Sequence, residues 1–322
     1  MIFFSTIPGA LLLLVVGFLF LIKGADFFVE GASAVAKKLH VPALVIGMTI
    51  VAMGTSLPEL SVSVTASMAG SNQLAIGNVV GSNIVNLMLV AGITCIIIPV
   101  GVEKSLITRD LPFSIIVTLS VLLLSADMYF AGSKSNLITR ADGIILLLFF
   151  SVYMYSVFRS ALEKPAEETD TEETKPVWKS ILFTVLGLAG IIAGGQFTIN
   201  SAEYIARAFG MSDRLIGLTI IAFGTSLPEL IISIVAACKG ENDIAMGNVV
   251  GSNIFNILFI LGFSTCIRPL QVEGATFIDI AVLLFCSLTV LALSKPKLKL
   301  GRICGVIMVL IYALYTTYIF IK

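Results

Sequence analysis

Charge is what this chain lacks most. Of its 322 residues only 12% are Asp, Glu, Lys or Arg, while 57% are hydrophobic; soluble globular domains carry roughly 25% charged residues. That deficit excludes an ordinary water-soluble domain. The charges that remain cancel, 20 basic against 20 acidic, so there is no basic field to attract nucleic acid, and none is expected as a partner. Histidine occurs once, at His40, which removes the usual ligand of zinc or copper. The five cysteines, Cys95, Cys238, Cys266, Cys286 and Cys304, form no CxxC pair and fall mostly within apolar runs, so they are expected to pack rather than bind metal. The first apolar run, Ile7 to Ile22, has neither a basic leader nor a small-residue cleavage site and is read as a membrane helix, not a signal peptide.

What is present instead is apolar sequence in blocks long enough to cross a bilayer core of about 30 Å, each needing about 20 residues. Ten such spans can be drawn: 8–35, 41–68, 74–99, 110–126, 141–159, 179–206, 213–238, 243–267, 275–294 and 301–321. The chain is therefore predicted to be an all-α integral membrane protein of ten transmembrane helices. Basic residues are retained on the cytoplasmic side. With the N-terminus outside, the inner loops hold thirteen Lys and Arg and the outer side six, which predicts both termini outside. The longest polar stretch, Glu163 to Lys179, is acidic and contains Pro165 and Pro176; it reads as a mobile cytoplasmic linker. The expected organisation is a first five-helix unit over 1–160, a linker over 161–178 and a second five-helix unit over 179–322.

The two units are copies. A shift of 170 residues lays Ile46–Asn86 on Ile216–Asn256 without a gap, matching 26 of 41 positions, and Gly24–Ala36 falls on Gly194–Ala206. A repeat of five helices inverts its second copy, and inverted repeats of secondary transporters place the substrate near the midplane, where interrupted helices meet. The best-matched segments should mark that site.

The first matched element is Gly-Thr-Ser-Leu-Pro-Glu, at Gly54–Glu59 and again at Gly224–Glu229. It puts one carboxylate, Glu59 or Glu229, in the middle of an apolar span. An ionisable group at that depth costs at least ~2.5–3.5 kcal/mol, and a cation would compensate it, although protonation would too. Pro58 and Pro228 each remove a backbone donor and free the carbonyl four residues earlier, at Gly54 and Gly224. Thr55 and Ser56 lie one turn before Glu59, on its face of the helix, with Thr225 and Ser226 their counterparts. An all-oxygen set of this kind suits Ca²⁺ and Na⁺. The second element runs from Gly77 to Asn86 and from Gly247 to Asn256. Asn78, Ser82 and Asn86 make a polar stripe at i, i+4 and i+8, copied by Asn248, Ser252 and Asn256, while Gly77 and Gly81 offer a face for close helix approach. Blander readings are a simple proline kink and interhelical amide bonds. Asp26, Glu30, Asp127, Asp142 and Asp279 have no matching partner in the other copy and read as boundary or packing residues.

The paired signature, GTSLPE followed by GNVVGSNI and an Asn, resembles the alpha repeats of the sodium/calcium exchanger family, and the resemblance covers nearly the whole chain. It implies that Glu59 and Glu229 bind Ca²⁺ directly, helped by oxygens of Thr55 and Thr225. It also implies that Ala52, Ser56 and Ser82 contribute to one Na⁺ site, that Ala222, Ser226 and Ser252 form its mirror, and that Asn86 and Asn256 line the centre. No cofactor is implied, only the transported ions and the bilayer, with the monomer as working unit. Potassium-dependent members carry aspartate where Asn256 stands, so potassium dependence is not expected. Two central carboxylates match one Ca²⁺ or two Na⁺. The short linker lacks the regulatory domain of animal exchangers, as in a prokaryotic-type member.

The expected activity is therefore Na⁺/Ca²⁺ antiport by alternating access, with helices 1 and 6, rich in glycine at Gly24 and Gly194–Gly195, as the moving gate that the family suggests. An H⁺/Ca²⁺ antiporter using the same two glutamates is the nearest rival. A channel would need a continuous pore lining. An intramembrane hydrolase would need Ser56 or Ser226 as nucleophile and a glutamate base, but no histidine is available at depth and such motifs seldom duplicate symmetrically.

Overall fold

Inside a bilayer the backbone can satisfy its N–H and C=O groups only within its own segment, so long apolar runs become helices. The computed structural model describes residues 6–130, 132, 135–163, 176–210 and 222–321, the side chains at 129, 130 and 222 excepted. Its main helices are α1 (Ile7–Lys38), α2 (Ala43–Thr55), α3 (Leu57–Ala69), α4 (Asn72–Ile97), α5 (Leu106–Leu124), α6 (Arg140–Glu163), α7 (Val177–Ala208), α8 (Ala222–Thr225), α9 (Leu227–Cys238), α10 (Asn242–Ile267), α11 (Gly274–Ser294) and α12 (Arg302–Ile321). Among the described residues, eight helices are long and apolar enough to cross a membrane, and α2 with α3 forms a ninth candidate span bent by 47°. The span expected over 213–238 is described only from Ala222 onward, and most of the expected linker, 164–175, also lies outside the described residues.

The bend between α2 and α3 sits at Ser56, whose backbone leaves the helical range at φ −85°, ψ 10°. Pro58 follows in the first turn of α3, where its missing donor removes no helix bond. Ser226 and Pro228 repeat this before α9, with Ser226 at φ −90°, ψ 4°. Among the described residues four stretches widen into π-type turns: Gly47–Val51 in α2, Val85–Val90 in α4, Leu106–Asp110 in α5 and Asn256–Leu261 in α10. Such turns often mark functional positions.

The longest helices, α1 and α7, lie antiparallel along a seam of small residues. Gly17, Gly24 and Gly31 recur every seven residues on α1, and Ser180, Gly187, Gly194 and Ser201 do so on α7. A β-carbon at Gly24 would lie 2.9 Å from the Gly187 carbonyl oxygen, and one at Gly194 would lie 2.7 Å from that of Gly17. Backbones can approach this closely only where no side chain intervenes. A seven-residue period, slightly short of two full turns, winds such a pair into a left-handed seam. Edge-on rings flank it, Phe27 with Phe183 at 5.4 Å and Phe20 with Phe197 at 6.2 Å.

Two short antiparallel sheets join distant parts of the chain: β1 (Val100–Gly101) pairs with β4 (Lys299–Leu300), and β2 (Leu137–Ile138) with β3 (Leu270–Gln271). The centre is filled by α4 and α10, which are among the most buried helices. Gly247 and Gly251 let α10 lie directly on α2, since a β-carbon at Gly251 would stand 2.6 Å from the α-carbon of Met48. Gly77 and Gly81 on α4 have open space within 4 Å among the described residues; the segment that would mirror Leu44–Met48, residues 214–218, lies outside them.

Candidate functional site

Glu59 and Glu229 each occupy the first turn of a half-helix, α3 or α9, directly after the break. A helix start exposes orphan N–H groups and the positive end of its dipole, which favours a carboxylate there. Both side chains are fully buried. Each is reached by a serine from the opposite copy: Ser56 donates to Oε1 of Glu229 at 2.9 Å, and Ser226 to Oε1 of Glu59 at 3.4 Å. The second oxygen of each carboxylate, Oε2, has no hydrogen-bond partner. The two motifs therefore interlock into one composite site, and neither copy is complete by itself.

The neighbouring amides are oriented by what they donate to. Asn78 Nδ2 donates to the Glu59 backbone carbonyl at 3.1 Å and to Ser63 Oγ at 2.8 Å. Asn248 repeats the pattern with the Glu229 carbonyl at 3.2 Å and Ser233 Oγ at 3.0 Å. These bonds tie the broken helices to α4 and α10, so Asn78 and Asn248 serve as the interhelical glue of the blander reading. With its nitrogen so committed, Asn248 turns Oδ1 towards Thr55 Oγ1, 3.1 Å away. The carbonyls of Val51 and Ala52 also lie 3.2 Å from that hydroxyl. A hydroxyl has one proton to give and two lone pairs to offer, so Thr55 spends its proton on these neighbours and remains available as an oxygen ligand.

Ala52, Thr55, Ser56, Ser82, Asn86, Thr225, Ser226, Ser252 and Asn256 are buried with the two glutamates. Ala222 opens α8, its side chain lying outside the described residues. Ser252 donates to the Ala52 carbonyl at 3.4 Å and Asn256 Nδ2 to Asn83 Oδ1 at 3.0 Å. Ser82 Oγ, both polar atoms of Asn86 and Oδ1 of Asn256 have no partner. Leaving such buried groups unsatisfied costs about 1–3 kcal/mol each, a penalty that a bound cation relieves for the oxygens. Among the described residues no group of three or more His, Cys, Asp or Glu side chains is arranged to hold a metal. The donor set at the break is two carboxylates with neutral oxygens around them, the chemistry of Ca²⁺ and Na⁺.

Two features escaped the sequence reading. Asn83 and Asn253 are buried and bond each other's backbone across the centre, Asn83 Nδ2 to the Asn253 carbonyl at 3.0 Å and Asn253 Nδ2 to the Asn83 carbonyl at 3.2 Å. Both lie in the repeated motif, but off the i, i+4, i+8 stripe, and duplication was the signal that could have found them. Asp110 was placed at a span boundary, with Arg109 outside it, whereas α5 begins earlier and includes both. Asp110 is fully buried and accepts from Arg109 Nε at 2.8 Å and from Tyr153 at 3.3 Å. That pairing is what lets a charged pair enter the helix. Among the unmatched acids, Asp26 meets Lys239 at 3.2 Å, Asp142 accepts from the Thr139 hydroxyl at 2.7 Å and Asp279 from Tyr315 at 3.0 Å. These are packing and surface roles, as expected.

The chain is similar to known proteins over most of its length. The family model described as sodium/calcium exchanger protein matches residues 9–159 and 179–321. CaxA of Alkalimonas amylolytica is 39% identical, the match spanning 97% of this chain and 98% of that protein. The sodium/calcium exchanger MaX1 of Methanosarcina acetivorans is 32% identical over 96% and 98% of the two chains. Among solved structures, the sodium-calcium exchanger NCX_Mj soaked with zero Na⁺ and Ca²⁺ superimposes with a TM-score of 0.85 at 30% identity, covering 98% of this chain and all of that one.

Proposed function

Because this chain belongs to the sodium/calcium exchanger family of multi-pass membrane antiporters, we propose that it exchanges Na⁺ for Ca²⁺ by alternating access at the composite site between its two copies. The observation that carries this reading is the crossed pair of hydrogen bonds, Ser56 to Glu229 and Ser226 to Glu59. A single site that draws one carboxylate from each copy can hold one Ca²⁺ or two Na⁺ with its charge neutralised, so the two ions compete. An empty site leaves two buried negative charges uncompensated, which disfavours reorientation without a load. Exchange is then obligatory.

In this reading Ca²⁺ takes Glu59 and Glu229 with oxygens of Thr55 and Thr225. One Na⁺ takes the Ala52 carbonyl, Ser56 and Ser82; its mirror takes Ala222, Ser226 and Ser252; Asn86 and Asn256 line the centre. Sodium is favoured over protons as the coupling ion by the neutral oxygens. Ser82 Oγ, Asn86 Oδ1 and Asn256 Oδ1 are buried without partners, and Na⁺ needs such ligands, whereas protons need only the carboxylates. The H⁺/Ca²⁺ antiporter remains the alternative that the experiment separates. The architecture proposed is two inverted five-helix repeats, 1–160 and 179–322, joined by a cytoplasmic linker over 161–178. Both termini lie outside, the bilayer surrounds a functional monomer, and the α1/α7 pair moves as the gate.

The test is ⁴⁵Ca²⁺ uptake into proteoliposomes loaded with Na⁺, with K⁺ or with a proton gradient. Uptake driven by internal Na⁺ alone is expected. Uptake driven only by protons would replace this reading with its alternative, and uptake that needs no counter-ion would overturn both.

A further inference from the structure

The two copies are related by sequence at every central position, yet their hydrogen bonds are not symmetric. Asn83 and Asn253 form a reciprocal clasp, each side-chain amide donating to the other's backbone carbonyl, at 3.0 and 3.2 Å. That pair obeys the repeat. The bonds beside it do not. Asn256 donates to Asn83 Oδ1 at 3.0 Å, and the mirror bond would run from Asn86 to Asn253 Oδ1. Its donor, Asn86 Nδ2, and its acceptor, Asn253 Oδ1, are both buried and both without a partner. The same bias recurs one turn earlier, where Ser252 donates to the Ala52 carbonyl at 3.4 Å while its counterpart Ser82 Oγ is unbonded. Beside the clasp, then, Asn256 and Ser252 of the second copy donate while Asn86 Nδ2 and Ser82 Oγ of the first are unbonded; at the break the bias is reversed, Ser56 of the first copy making the shorter contact.

A repeat protein that alternates between two mirror-related arrangements must exchange such contacts, because what one copy does in one state the other does in its mirror. We propose that Asn83 and Asn253 are positioning residues for ion exchange. Their mutual clasp holds α4 and α10 in register throughout the cycle, and their Oδ1 atoms, which the clasp does not use, act as two alternative seats. Asn256 occupies the Asn83 seat in the conformation described here, and Asn86 occupies the Asn253 seat in the opposite one. Each switch turns one central amide away from its seat, so that the copy facing the open side keeps an unbonded serine and asparagine for the ion. In the conformation described here the unbonded pair is Ser82 and Asn86, of the first copy. The inference rests on the alternating-access reading above but not on which ion, Na⁺ or H⁺, drives it.

Asn83→Ala removes the seat used in this conformation and Asn253→Ala removes its mirror, while each variant loses one half of the clasp. A lost neutral hydrogen bond shifts a two-state ratio by about two- to tenfold. The apparent KM for Ca²⁺ is to be measured separately at the two membrane faces, in right-side-out and inside-out vesicles, with whichever coupling ion drives the wild type. Asn83→Ala is expected to raise KM about two- to tenfold at one face only. Asn253→Ala should raise it by a similar factor at the other face, and the double variant should restore the wild-type ratio between faces. A merely structural role would lower thermal stability in both variants and leave that ratio unmoved. If the alanine variants do not insert, Asn83→Ser and Asn253→Ser are read in the same way. Labelling of Ser82→Cys, in a background without the five native cysteines, by an impermeant thiol reagent from each face reports the same ratio without requiring transport. A wild type that carries no Ca²⁺ by either ion would fail the proposed function, whereas single variants that shift both faces alike, in transport or in labelling, would overturn this inference alone.

Discussion

Replacing Glu59 by glutamine keeps the volume of a fully buried side chain and removes its charge. The effect on ion binding follows from what remains. A Ca²⁺ ion held by two carboxylates would face only one, and removing one partner from a buried charged assembly costs ~3–5 kcal/mol. At 1.4 kcal/mol per decade, affinity falls by about 10²–10³·⁵. Wild-type protein in detergent at a Ca²⁺ concentration 100 times its Kd should be stabilised by ~2.7 kcal/mol, and the variant at that same concentration by less than ~0.4 kcal/mol. Without Ca²⁺ the order changes. The Oε2 of Glu59 is buried without a partner, so Glu59→Gln should unfold at a temperature no lower than the wild type. Glu229→Gln should behave alike, because Glu229 is equally buried and has its own unbonded Oε2. Thermal unfolding with and without Ca²⁺, paired with ⁴⁵Ca²⁺ uptake, measures both effects. A variant that keeps its Ca²⁺-dependent stabilisation, or that loses uptake only because it has lost stability without Ca²⁺, would refute the reasoning.

Asn248→Ala deletes three hydrogen bonds, to the Glu229 carbonyl, to Ser233 and from Thr55, and should cost ~2–3 kcal/mol in thermal or chemical unfolding. Asn78→Ala deletes the mirror bonds to the Glu59 carbonyl and Ser63 and should cost ~2 kcal/mol; a negligible cost would argue against the mirror relation. Gly24→Val places a branched side chain where a β-carbon already meets the Gly187 carbonyl at 2.9 Å, so uptake should be abolished and stability should fall by ~1–3 kcal/mol. Uptake at the wild-type rate would show that the seam tolerates separation. Tyr153→Phe removes the hydroxyl that bonds Asp110 and should cost about 1 kcal/mol of stability, with Ca²⁺ affinity measured by titration unchanged because the pair lies outside the ion site.

Much of the architecture was legible in the sequence for a physical reason. Burial in lipid demands long apolar runs, and a charged residue or proline inside one stands out against that background. Glu59, Glu229, Pro58 and Pro228 announced themselves in this way, and the 170-residue shift tied them together. Less legible were features that depend on what faces what. The π-type turns at Val85–Val90 and Asn256–Leu261 interrupt the helical phase, so the face that Asn86 and Asn256 present does not follow from counting residues in fours. Asn83 and Asn253 read as off-stripe amides until α4 and α10 are crossed. Asp110 looked like a boundary residue because its neutralising partners include Tyr153, far along the chain. The β1/β4 and β2/β3 pairings have only two residues per strand, too few for any alternation to show.

Those small pairings also set an order of events during synthesis. Val100 is made first, and its strand partner Leu300 emerges 200 residues later. Leu137 likewise waits for Gln271. Until then the early helices can enter the bilayer and pack on one another, but these two ties at the rim are missing. Both rims therefore close only once the second copy has followed the first.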